Sequence, residues 1–223
     1  MAFQFPSEDL DSLQVFLHLP KATMKSLIKE LQASPPALYF NVLASQLTEK
    51  VALSTHDMQR ILRVIGNLYS TYIASGTSVE KFIGDFQIGL QQTGVPTLSL
   101  TEAEWDEFRG YLSQILMCER SVGITSKALK VMTDHSHVFR DAQILTDLRP
   151  VFRSNAEEPP DAAVIVHTLK IEFSEVGQRK IFFVALDSLD LKRLEASIKR
   201  AKLKEKSLKD MFKDMTLSIL DPR

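Results

Sequence analysis

The chain changes hydrophobic period near residue 138, and that change restricts its fold more than any other feature. Before it, apolar residues recur at helical spacing for about 130 residues. After it come three apolar runs, Ile144–Phe152, Ala163–Phe173 and Ile181–Leu186, and then one long charged helical stretch. Two periods in this order predict an α+β protein. Residues 1–137 form a helical N-terminal domain. Residues 138–223 form a small three-stranded antiparallel sheet with one C-terminal helix.

In the first part, Met24, Leu27, Ile28 and Leu31 share one helical face. Ser34-Pro-Pro is expected to open the next helix, since proline is tolerated in a first turn. Met58, Ile61, Leu62, Ile65, Leu68 and Tyr69 form a strong stripe that Ser75-Gly76 stops. Thr77…Glu80 and Thr101…Glu104 both read as capping boxes, in which side chains satisfy free first-turn amides. Gly84 and Gly89 fall inside a helical pattern, where close helix packing is the expected reason for them.

In the second part, Pro150 cannot donate to a ladder, so the first strand belongs at an edge. The second run is β-branched and apolar on both faces for its first half, as a central or doubly covered strand would be. Ser174 to Gln178, with Gly177, is a hairpin turn. Asp187-Ser188 can cap the last helix, whose apolar stripe is Leu191, Leu194, Ile198 and Ala201.

The C-terminal third resembles the COMM domain, the dimerising module of a family of intracellular adaptor proteins. Ile144 to Phe152, Val164 to Phe173, Phe182 to Leu186 and the helix from Leu189 onward carry the resemblance. That family usually has a tryptophan in its first strand. Here the equivalent stretch is Leu145-Thr-Asp-Leu-Arg-Pro, and the chain's one tryptophan is Trp105. The resemblance implies obligate dimerisation through the module and a scaffold role without enzymatic activity.

The remaining signals exclude more than they assign. Net charge is −1, so no global field draws in nucleic acid or an acidic membrane. Cys118 is the one cysteine, which rules out an internal disulfide and fits a reducing compartment. It reads as a buried, inert thiol. The first residues lack the basic and apolar regions of a signal peptide, and no apolar run approaches the ~18 residues of a membrane span, so a cytoplasmic protein is expected. His135 and His137, with His167, are the best metal candidates, but their spacing matches no standard site and the pair reads as a polar linker. No catalytic, cofactor-binding or metal residue is assigned.

The central strand is too apolar for one helix to cover. One face is expected under the C-terminal helix and the other against the helical N-terminal body or a second chain. The leading reading is a non-enzymatic adaptor that forms a homodimer or hetero-oligomer with a protein partner. Its interaction surface is Val164, Val166, Phe183, Leu191, Leu194 and Ile198. Two alternatives remain. One is a small-ligand or enzymatic site between the domains, using His135, His137 or His167. The other is nucleic-acid binding by the lysine-rich last helix, which interleaved carboxylates oppose.

Overall fold

The computed structural model of the chain describes residues 7–155, 157–175, 177–215 and 218–221. Helices come first: α1 (Ser7–Leu17), α2 (Lys21–Ala33), α3 (Phe40–Thr48), α4 (Thr55–Ser75), α5 (Val79–Gln92), α6 (Glu102–Leu116) and α7 (Ile124–Thr133). Three strands follow, β1 (Val138–Val151), β2 (Ala162–Glu175) and β3 (Gln178–Leu186), and then α8 (Ser188–Met211). This is the α+β order that the change of period predicts. The chain divides into two compact units, the second spanning Met132–Ile219.

The helix ends follow side-chain chemistry. Thr101 and Glu104 form the expected capping box: the Glu104 amide donates to Thr101 Oγ1 at 3.3 Å, and the Thr101 amide donates to Glu104 Oε2 at 2.8 Å. That amide, then the Thr101 hydroxyl, holds the Glu104 carboxyl below its ordinary range. At α5 the cap is one residue later than expected. Ser78 accepts from the Lys81 amide, while the Thr77 hydroxyl pairs with that of Ser75 at 2.9 Å. At α3 the helix starts at Phe40 rather than at Ser34-Pro-Pro. Adjacent prolines push each preceding residue out of helical geometry, and the backbone of 34–39 carries no helix.

The core belongs to the helical unit. Phe16, Leu27, Leu43, Leu47, Met58, Ile61, Leu62, Ile65 and Phe86 are fully buried. An aromatic chain runs through it. Phe86 faces Trp105 at 6.2 Å, Trp105 faces Phe108 at 5.6 Å, and Phe108 meets Phe16 edge-on at 5.3 Å. Such pairs contribute beyond the area they bury.

Two kinds of helical glycine separate here. A Cβ on Gly66 would lie 2.5 Å from the Phe40 ring, so Gly66 is needed for close approach. Gly84 is different: it has nothing within 4 Å of that position, so close packing is not its reason, although Gly89 is buried. Gly84→Ala should therefore raise stability by roughly 0.5–1 kcal/mol, because alanine has the better helix propensity. Gly66→Ala should lower it by about 1–3 kcal/mol through overpacking. Urea midpoints of the two variants, moving in opposite directions, check both.

In the sheet β2 lies between β1 and β3, and both pairings are antiparallel. β1 begins six residues before the apolar run at Ile144. The reason is a bulge: the register shifts between Phe139 and Asp141, and the period-2 alternation breaks there. The hairpin is tighter than expected, with Glu175 paired to Gln178. Gly177 takes φ 78°, the left-handed region where a side chain is strained. Val176, also in that turn, lies outside the described residues.

Candidate interaction surface

Side chains alternate along a strand, and residues opposite each other across an antiparallel pair share a face. The register therefore sorts the sheet into two faces. One carries Ile144 and Leu148 of β1, Ile165, Leu169 and Ile171 of β2, and Phe182, Val184 and Leu186 of β3. The other carries Leu145, Asp147 and Arg149, then Val164, Val166, Lys170 and Glu172, then Arg179, Ile181 and Phe183. The first is nearly continuous hydrocarbon and the second is mixed.

Among the described residues of the second unit, neither face is buried. Ile165 is 53% exposed and Phe182 55% on the apolar face, while Val164 and Phe183 on the mixed face are 51% and 58%. Among the described residues of the second unit, Glu172 is the one buried side chain. The expectation that α8 covers one sheet face is therefore overturned. No residue of α8 is buried: Leu191 is half-buried and Leu194 and Ile198 are exposed. Asp187 starts this helix directly after β3, accepting from the amides of Leu189 and Asp190 at 2.7 and 2.8 Å. With no loop between strand and cap, the helix has no length of chain in which to fold back over the sheet.

Of the six residues expected to make the surface, Val164, Val166 and Phe183 share the mixed face, and Leu191, Leu194 and Ile198 lie along α8. The more apolar face carries Ile165, Leu169 and Phe182, none of which is among those six. Its signal is strand parity: in β2 the polar residues Thr168, Lys170 and Glu172 all alternate onto the mixed face.

The charged end of the mixed face is tied together. Glu172 receives Lys170 Nζ at 2.7 Å and the Arg179 guanidinium. Lys170 first, then Arg179, holds its carboxyl below the ordinary range. A carboxyl depressed in the fold stabilises it above its unfolded pKa, and that stability is lost as the pH falls through the folded value. Glu172→Gln should therefore lower the melting temperature at pH 7, and the gap to wild type should close in acid. Differential scanning fluorimetry across pH checks this; a gap that persists at low pH would contradict it.

The alternative candidates disperse. His137 hydrogen-bonds Glu175 Oε1 at 3.1 Å and stacks edge-on against Phe173 at 4.9 Å. His167 pairs with the Thr146 hydroxyl at 2.9 Å. It lies six residues along β2 from Phe173, about 20 Å at strand rise. His135 lines a hollow of about 370 Å³ with Thr133, Ser136, Val138, Arg140, Ser174 and Gly177. No group of three His, Cys, Asp or Glu among the described residues is placed to hold a metal. Cys118 is buried, with Sγ 3.4 Å from the Leu31 carbonyl and 3.1 Å from Ser121 Oγ. The cations of α8 are partly spent locally, as in Arg193–Asp190 and Lys209–Glu205.

No helix among the described residues is long and apolar enough to cross a membrane. No protein-family model matches the chain, and no curated protein sequence matches it.

Proposed function

We propose that this chain is a non-enzymatic interaction protein that self-associates through its second unit, as a COMM-like module would. The observation that carries the reading is the missing core. A three-stranded sheet is stable in water only when its hydrophobic face is buried. Here the described residues leave both faces and the α8 stripe open. Burying one Val, Leu, Ile or Phe contributes about 1.5–3 kcal/mol, so a second copy covering the Ile165–Leu169–Phe182 face supplies what the unit lacks.

The stripe of α8 suits a sheet face better than its own copy. Leu191, Leu194, Ile198, Ala201 and Leu208 repeat at alternating spacings of three and four, interrupted by Glu205. In a parallel coiled coil Asp190 would face Glu195, and Lys204 would face Lys209, both repulsive. The helical unit has its own core and in this reading presents the partner sites. A single buried cysteine suits a reducing interior such as the cytoplasm. Light scattering on the full chain at neutral pH should give twice the 25.2 kDa chain mass. A monomer mass at every concentration would remove the reading.

A further inference from the structure

The apolar sheet face has an ionisable side chain at its centre. His167 is half-buried in the middle of β2, between Ile165 and Leu169 on the same face. Across from it stand Thr146 in β1 and Leu186 in β3, with Ile144, Leu148 and Val184 on the diagonals. Thr146 Oγ1 lies 2.9 Å from Nδ1, which satisfies one ring nitrogen in a neutral imidazole.

Among the described residues, none of its same-face neighbours in the sheet carries a charge. On β1, Asp147 alternates to the mixed face. Beyond Leu186, the Asp187 carboxylate accepts from the first amides of α8. Lys180 and the His137–Glu175 pair stand at the far end of the apolar face around Phe173, and the Arg153–Asp161 pair lies beyond the other end of the β1–β2 ladder.

We propose that His167 makes self-association pH-dependent: the assembled chain holds this imidazole neutral, and protonation releases the partner. The inference rests on the self-association reading above. In the free chain water reaches the ring and solvates its charge. Once a second copy covers the face, an imidazolium there loses that water and meets hydrocarbon. The neutral ring loses little. Covering the face therefore opposes a charge on this ring, so association weakens as the solution is acidified. A symmetric pair carries two such rings. Proton uptake by both gives a dissociation constant that rises by up to about 100-fold per pH unit.

The test is sedimentation equilibrium of the full chain between pH 8.0 and 5.5, with His167→Gln and His137→Gln measured alongside. Circular dichroism confirms that each variant keeps its fold. Wild type and His137→Gln should dissociate at least tenfold more readily at the acid end, and His167→Gln should change by less than threefold. A wild-type constant that is flat across the range overturns the inference and leaves self-association standing. So does His167→Gln with the wild-type slope. A wild type that is monomeric at pH 8.0 removes both.

Discussion

Phe182→Asp should turn the assembled chain into a 25.2 kDa monomer, while Phe183→Asp, one residue along the same strand, should leave most of the assembly intact. The two residues point to opposite faces. Phe182 sits opposite Ile171 on the apolar face, where no cation is directly opposed and Lys180, two residues along β3, is the neighbouring one. Removing a charge from water without a directly opposed partner costs several kcal/mol, and a symmetric pair would incur that twice. Since each 1.4 kcal/mol is tenfold in affinity, the dissociation constant should rise by at least about a thousandfold. Phe183 sits opposite Lys170, so an aspartate there gains a cation and stays on the mixed face. Its effect should remain within about tenfold. Sedimentation equilibrium of both variants reads the difference. Equal loss of mass in the two would mean that the mixed face is the buried one, or that both are.

The second large effect lies in the helical unit. Phe86→Ala should destabilise that unit by about 3–5 kcal/mol, the range for emptying a fully buried phenylalanine site. Phe86 has no exposed surface and faces Trp105, which in turn packs on Phe108. Those neighbours are ring systems held in the same core and cannot all collapse into the vacated volume. Trp105 is the chain's one tryptophan, so its fluorescence follows this unit alone during urea unfolding. A loss below about 1 kcal/mol would show that the aromatic chain is not the packed centre of the unit.

Much of the helical part could be read directly from the sequence. Stripes such as Met58–Ile61–Leu62–Ile65 are long enough that their period decides both type and buried face, and all four side chains are buried. Local chemistry was less decisive. Ser75, Thr77 and Ser78 offer three competing hydroxyls, and only their mutual hydrogen bonds select Ser78 as the cap. Adjacent prolines at 35 and 36 could be tolerated in a first turn or could prevent one, and here no helix forms until Phe40.

The two sheet faces were only half readable, for a different reason. Val164 to Phe173 is apolar on both parities in its first half, so alternation there cannot choose a face. The choice comes from neighbours: Asp147 and Arg149 fall on the side of Val164 and Val166, while Ile144 and Leu148 fall on the side of Ile165 and Leu169. That depends on register, which is set by the bulge at Phe139/Asp141 and the turn at Gly177. The position of α8 was hidden in the same way. Its stripe marks a face that needs burial, but the absence of a loop between Leu186 and the Asp187 cap decides that it is not buried on its own sheet.

The account depends on which surface is removed from water when two chains meet. Isotope-filtered methyl NMR on a mixture of labelled and unlabelled full-length chains measures this directly. Contacts from the methyls of Ile165 and Leu169 to side chains of the other copy are the predicted result. Solvent-exposed methyls at both positions in an assembled sample, or no intermolecular contact at any concentration, would contradict it.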